Sequence, residues 1–378
     1  MLMIAGEESG DIYAGRLAED LLKAAPELEI EGLGGPRMRK AGVNTFHDIK
    51  EMSSVGVASM LGKLGKFLGV LSGLEKRLSA GEYKAVVLVD YPDFNMRVAK
   101  AAHKAGVPAY YYVCPQFWAW RRGRIEKAKE WIDLMLVVFP FEEEFYRQRG
   151  LDAMFLGHPI LDELPPVADR TALRRRFMNN PDGRLLGVLP GSRHGEIKRI
   201  FPVVLESVKL VREKMDVEAV VPCAGSISPG ELEEMAANAG VEVKVVSGMA
   251  WEVMNACDFL ICKSGTSTLQ AALARAPMLI VYKSDLFSFY MARALSYVEY
   301  AGLPNLLAGR EIAPEFLQTA ATPEAIAEKA VEILSDGEKL ACMREDLGRI
   351  ADSLGKPGAS QRAAGVIVSR LRGDPPPG

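Results

Sequence analysis

The residues best suited to acid–base chemistry lie in one short stretch, Asp90-Tyr91-Pro92-Asp93-Phe94-Asn95. Asp90 closes the run Ala85–Val89, which holds no other polar residue. A carboxylate leaving an apolar strand is costly unless it is paired or used. Such surroundings also raise its pKa towards the range in which it can take a proton from an alcohol. Asp90 is therefore the candidate for a general base, with a second carboxylate, Asp93, and the Asn95 amide within the same six residues. Asp93 beside Pro92 also reads as ordinary turn and capping chemistry.

Three other turns could hold an anion or a sugar. Gly6-Glu7-Glu8-Ser9-Gly10-Asp11 follows an apolar run and opens a helix, so its backbone N–H groups face a ligand or are simply capped by Ser9 or Asp11. Leu189-Pro190-Gly191-Ser192-Arg193-His194-Gly195-Glu196 and Lys263-Ser264-Gly265-Thr266-Ser267-Thr268-Leu269-Gln270 sit likewise between a strand pattern and a helix pattern. Glycine and hydroxyl residues at a helix start, with Arg193 alongside, suit a diphosphate. GxxxxGK[ST] is absent, and Gly32-Leu33-Gly34 continues as Gly35-Pro36-Arg37, which fails GxGxxG and disfavours a nicotinamide dehydrogenase. No DxD occurs, so no metal and no cofactor is expected, and helix ends and Arg193 are to supply the positive charge.

A further loop runs Cys114-Pro115-Gln116-Phe117-Trp118-Ala119-Trp120-Arg121-Arg122-Gly123-Arg124, and three of the four tryptophans fall between 118 and 131 among Arg and Lys. Such a loop suits a phosphosugar, a bilayer interface or stacked bases, or it is a structural aromatic cluster. A net charge of −3 makes nucleic acid the weakest of these.

The elements that must position these groups follow from the hydrophobic pattern. Leu2–Gly6, Ile30–Gly34, Ala85–Asp90, Ala109–Val113, Leu134–Phe139 and Met154–Leu156 are continuous apolar runs, as a parallel sheet covered on both faces requires. Helical stretches such as Asp11–Ala24 and Phe94–Ala105 alternate with them. Pro, Gly and Asn cluster over residues 160–184, after which Leu185–Leu189, Val217–Val221, Val241–Val246, Phe259–Cys262 and Met278–Tyr282 restart the pattern. The expected fold is α/β: two doubly wound domains, 1–163 and 180–345, facing a cleft, with a helical segment at about 346–371 free to pack back on the first.

With 378 residues, 49% hydrophobic and 25% charged, the chain is globular and large enough for two cores. Five scattered cysteines without a CxxC pair point to a reducing compartment, and four histidines form no HExxH. Neither a secretory leader nor an apolar run of about 18 residues is seen, so any membrane contact is expected to be peripheral. Within residues 57–78, Leu61, Leu64, Phe67, Leu68, Leu71, Leu74 and Leu78 recur at helical spacing, with Lys63, Lys66, Lys76 and Arg77 between them. This helix either faces the core or, loosened by Gly62, Gly65, Gly69 and Gly73, lies in a membrane interface.

Taken in order, AGEESGD (5–11), GLGGPRM (32–38), DYPDFN (90–95), PQFWAWR (115–121), FPFEEEFY (139–146), GHP (157–159), LPGSR (189–193) with Glu196, KSGTSTL (263–269) and PNLLAGREIAPEFLQ (304–318) closely resemble the lipid-A-disaccharide synthase family over about residues 1–365. The resemblance implies a metal-independent, inverting glycosyltransferase of GT-B architecture. It would transfer 2,3-diacylglucosamine from its UDP donor to 2,3-diacylglucosamine 1-phosphate, at the cytoplasmic face of the inner membrane, giving a β-1,6 disaccharide and UDP. It implies an N-terminal domain for the acceptor and the membrane, and a C-terminal domain for the UDP-sugar. Asp90, or Asp93, would be the base, and Arg193 would neutralise the departing diphosphate. Gly191, Ser192, Glu196, Ser264, Gly265, Thr266, Gln270, Asn305 and Gln318 would hold the donor. Glu8, Ser9, Gly10, Asp11, Asn95, Trp118, Arg121 and Arg122 would meet the acceptor, the two arginines at its 1-phosphate. Gln270 departs from the family, which usually has Glu there to accept from the ribose hydroxyls. A homodimer is left open, as are a soluble-acceptor transferase or sugar-nucleotide epimerase and a non-catalytic nucleotide-sugar sensor.

Overall fold

The computed structural model describes residues 1–49, 60–119, 122–285 and 297–374. The chain divides into two units, residues 1–163 with 354–378 and residues 164–353. In the first, strands β1 (Leu2–Ala5), β2 (Glu31–Gly34), β3 (Asn44–Asp48), β4 (Val86–Val89), β5 (Ala109–Tyr112), β6 (Leu134–Val137) and β7 (Ala153–Phe155) form a sheet in the order β3-β2-β1-β4-β5-β6-β7. Every pairing is parallel, β1 lying against β4 from Leu2 opposite Val86 to Ala5 opposite Val89. In the second unit β8 (Arg184–Leu189), β9 (Val217–Cys223), β10 (Lys244–Ser247), β11 (Phe259–Lys263), β12 (Met278–Tyr282) and β13 (Glu315–Leu317) run β10-β9-β8-β11-β12-β13, again all parallel. The strand order reverses between β1 and β4 and between β8 and β11, and such switch points are where open α/β sheets bind ligands.

The helices that bear on function are α1 (Glu8–Ala24), α2 (Pro36–Lys40), α3 (Met60–Ser79), α4 (Pro92–Lys104), α5 (Pro140–Arg147), α6 (Arg170–Phe177), α7 (His194–Arg212), α8 (Thr266–Leu273), α9 (Leu303–Ala308), α10 (Gly337–Ser353) and α11 (Ala359–Arg372). Central strands such as β1 and β4 are buried along their whole length, which explains their unbroken apolar sequences. The unforeseen strands, β3 and β13, are edge strands whose residues are mostly half-buried, so their sequences lack that run.

The first unit's main segment ends at residue 163 as expected, whereas the boundaries expected at 180 and 345 fall at 164 and 353. Residues 164–179 belong to the second unit, where Arg170 and Arg174 of α6 bind Asp258 just before β11, at 2.8 and 3.0 Å. The expected segment 346–371 is divided: α10 stays with the second unit and α11 packs on the first. There Ala363, Ala364 and Ile367 are buried in the core with Ala14, Leu17 and Ala18 of α1. The Ser360 hydroxyl donates to Asp20 at 2.7 Å, and the Gly358 and Ser360 amides donate to Asp162.

Helix α3 answers part of the question the sequence raised. Val70, Leu71, Leu74 and Leu78 are buried, and Phe67 meets Phe94 of α4 edge-on at 4.9 Å, so the C-terminal half faces the core. Leu68 is turned outwards, 45% exposed. Residues 57–59 and the side chains of Leu61, Gly62, Lys63, Leu64 and Lys66 lie outside what the structure describes. Among the described residues no helix is long and apolar enough to cross a membrane.

Candidate functional site

At the C-terminal end of β4 the backbone turns through two consecutive left-handed residues, Asp90 at φ 50° and Tyr91 at φ 49°. Neither is glycine, so each costs about 1–3 kcal/mol and must be held by its surroundings. The Asp90 N–H donates to the Tyr112 carbonyl at 3.3 Å, and its carbonyl accepts from the Tyr111 hydroxyl and from Asn95. The Tyr91 ring lies so close over Gly6 that a Cβ there would sit 2.1 Å from it, which is why β1 must be followed by glycine. Ser9 Oγ is 3.5 Å from the Asp90 carboxylate. Burial pushes the Asp90 carboxyl above its ordinary value and the nearby Glu7 adds to this, against the lowering from the Tyr91 amide and Ser9. The tyrosine Tyr13, desolvated and close to Asp90, is itself pushed up to about 12. The structure thus brings Ser9, Gly10 and Asp90 together, with Glu7, Tyr13 and Tyr91 that sequence reasoning did not single out.

Other expected acceptor residues are placed differently. Asp11 is buried and capped on α2: its carboxylate accepts from the amides of Gly35 at 2.6 Å, Arg37 at 2.9 Å and Met38 at 3.2 Å. Asn95 is fully buried beneath the turn, with its Nδ2 spent on backbone carbonyls. Asp93 is exposed and pairs with Arg124 at 2.6 Å. Glu8 is exposed at the start of α1.

Trp118 is only 5% exposed, and its Nε1 donates to Glu142 of α5 at 2.7 Å. That carboxylate also accepts from the Val138 and Phe139 amides. Burial nevertheless dominates and pushes Glu142 up to about 7. Trp118 is thus a structural member of an aromatic cluster with Phe139, Phe141 and, beyond Phe139, His158. His158 accepts from the Ile160 amide and is driven by burial down to about 3. Arg121 and Trp120 lie outside the described residues, as does the side chain of Arg122.

In the second unit two turns stand side by side on the paired strands β8 and β11. Gly191 has φ 118° and Gly265 φ 150°, conformations that side chains rarely adopt. Glu196, in the first turn of α7, folds back over Gly191: its carboxylate accepts from the Ser192 amide at 3.2 Å, Arg193 at 3.3 Å and Lys263 at 2.9 Å. Desolvation pushes Glu196 up, but Lys263 and the Ser192 amide outweigh it, and the carboxyl ends below its ordinary value. Lys263 therefore ties the two turns together. Ser264 donates to the Ala301 carbonyl and Thr268 to that of Gly265, while the Arg193 side chain is 76% exposed and Thr266 exposed. Gln270 is half-buried on α8.

Asn305 of α9 is buried with all four bonding positions used: it accepts from the Ile312 and Ala313 amides and donates to the Ala313 carbonyl and to Glu315. Gln318, in the left-handed region at φ 51°, accepts from the Ser284 amide at 3.3 Å. Both hold backbone at the β12–β13 end of the sheet, an arrangement that leaves Asn305 no free donor or acceptor.

The Lipid-A-disaccharide synthetase family model matches residues 1–367. The chain belongs to the lipid-A-disaccharide synthase family. It is 38% identical over 372 residues to the lipid-A-disaccharide synthase of Geobacter metallireducens, covering 98% of this chain and 97% of that one. It is likewise 38% identical over 379 residues to that of Myxococcus xanthus, covering 100% and 98%. Solved structures share the fold at low identity. A calicheamicin glycosyltransferase aligns with TM-score 0.60 at 14% identity, over 100% of this chain and 98% of that one. The UDP-GlcNAc 2-epimerase of Neisseria meningitidis bound to UDP-GlcNAc gives 0.62 at 11%, over 99% of each. As a member of the lipid-A-disaccharide synthase family, the chain is a UDP-sugar glycosyltransferase of lipid A biosynthesis with the GT-B fold, the α/β class expected from its sequence.

Proposed function

We propose that the chain transfers 2,3-diacylglucosamine from its UDP-linked donor to 2,3-diacylglucosamine 1-phosphate, with inversion and without a metal ion. Asp90 takes the proton of the acceptor's 6-hydroxyl as that oxygen attacks the anomeric carbon, a role typically worth about 10²–10⁴ in rate. The observation that carries this reading is the Asp90 carboxyl itself: at the switch point of its sheet, desolvated, raised above its ordinary value and beside Ser9. Glu8, Ser9 and Gly10 line the acceptor side, with Arg121 and Arg122 meeting its 1-phosphate and Asp93 as the second candidate base. The first unit serves the acceptor and the second the donor. The Gly191–Glu196 and Ser264–Thr266 turns receive the diphosphate, Arg193 and Lys263 neutralise it as it departs, and Gln270 takes a ribose hydroxyl. Substrates that carry acyl chains place the enzyme on the inner face of the inner membrane, with the N-terminal half of α3 as the contact.

The test is transfer from UDP-2,3-diacylglucosamine to 2,3-diacylglucosamine 1-phosphate in detergent with EDTA present. Disaccharide with stoichiometric UDP is the expected result. UDP release without disaccharide would reject the acceptor, and activity only on adding a divalent cation would reject metal independence.

A further inference from the structure

Because glycine is absent from the Asp90–Tyr91 turn, something else must keep two consecutive residues at φ 50° and 49°. The Asp90 carbonyl oxygen accepts two hydrogen bonds, from the Tyr111 hydroxyl at 2.6 Å and from Asn95 Nδ2 at 2.7 Å. One donor comes from the neighbouring strand β5 and the other from the first turn of α4, and both residues are fully buried. Asn95 Nδ2 also reaches the Val89 carbonyl at 3.2 Å, while its Oδ1 has no hydrogen-bond partner among the described residues. A buried amide that leaves its oxygen dry is kept for its N–H groups.

We infer that Tyr111, with Asn95, is a positioning residue for the transfer reaction: pinning the Asp90 carbonyl holds the left-handed turn and so fixes where the Asp90 carboxyl points. In this conformation Asp90 Cβ lies 3.7 Å from where a Cβ on Gly10 would be, so the carboxyl stands over the start of α1. The titratable groups around it are Glu7 just before α1, Tyr13 from α1, Tyr111 from β5, and Tyr91 and Asp93 at the start of α4. Tyr111 is raised well above the ordinary tyrosine value by burial, so it remains a donor at any working pH. If the clamp is cut, the turn relaxes towards ordinary backbone, the carboxyl gains water, and its proton is lost at lower pH.

The inference rests on Asp90 being the base, and the experiment separates the two claims. Tyr111→Phe removes the hydroxyl and keeps the ring. In the full chain it is expected to lower kcat about 10- to 100-fold, to leave UDP affinity within about twofold, and to move the acid limb of the kcat–pH profile to lower pH. Asn95→Ser, which removes the second donor, is expected to move that limb in the same direction; should it fail to fold, Tyr111→Phe decides alone. Parental kcat and limb in Tyr111→Phe overturn the inference, as does a lower melting temperature with the limb unmoved. An active Asp90→Asn, measured in parallel, would instead overturn the assignment of the base.

Discussion

At Asp90 a strand-to-helix turn enters the left-handed region with ordinary residues, half-buried and held by the fully buried side chains of Tyr111 and Asn95. At Gly191 and Gly265 the same kind of turn is made with glycine, has exposed neighbours in Ser192, Arg193 and Thr266, and is tied together by the Lys263–Glu196 pair. The contrast follows from the tasks proposed for them. A base must present one oxygen at one angle with a raised pKa, and both needs are met by desolvation and a rigid backbone. A diphosphate needs many donors and little angular precision, so amides at helix starts and neighbouring cations suffice.

The sharpest way to break the comparison is Asp90→Asn. Turnover is expected to fall at least about 10²-fold with UDP affinity unchanged by calorimetry; weaker UDP binding would mean the first turn also handles the nucleotide. Next in size is a pH effect confined to the desolvated side. The folded value of His158, about 3, lies below the ordinary 6.5, so its contribution is fully present above pH 6.5 and lost as pH falls towards 3. Chemical denaturation at pH 5 and 7 should show a loss of up to about 2 kcal/mol that His158→Asn removes while keeping an acceptor for the Ile160 amide. On the second unit, Lys263→Met is expected to weaken UDP binding about tenfold, roughly 1.4 kcal/mol, and to lessen its salt dependence. Parental affinity would leave Lys263 a purely structural tie. The smallest expected change is Gln270→Glu: a charged acceptor for a ribose hydroxyl should tighten UDP about threefold.

Legibility in the sequence followed the apolar runs. Central strands announced themselves through them, and so did the edge strands β7 and β10, whereas β3 and β13, half-buried at the sheet edges and without such a run, did not. Asp90 was found because a charge ends an apolar strand. Lys263 ends Phe259–Cys262 in the same way and went unnoticed as a candidate, masked by the glycine–hydroxyl pattern that follows it. Polar residues with long-range partners were the least readable: nothing near Asp11, Trp118 or Asn305 in sequence says that their bonds go to α2, Glu142 and the Ile312–Ala313 backbone. Types and spacing find groups that chemistry could use, but only the fold shows which are already spent on it.

The return of α11 to the first unit bears on how the chain is made. Its Ala363, Ala364, Val366, Ile367, Val368 and Leu371 belong to a core whose other residues lie within the first 136 positions and at residues 154 and 156. On the ribosome those residues emerge early and wait through the synthesis of all of the second unit before their covering helix appears. The second unit, contiguous from 164 to 353, can close on itself in the meantime. Birth order and completion order are therefore reversed: the unit that carries Asp90 is begun first and finished last, and a nascent chain halted before residue 359 would hold a complete second unit and an unsealed first one.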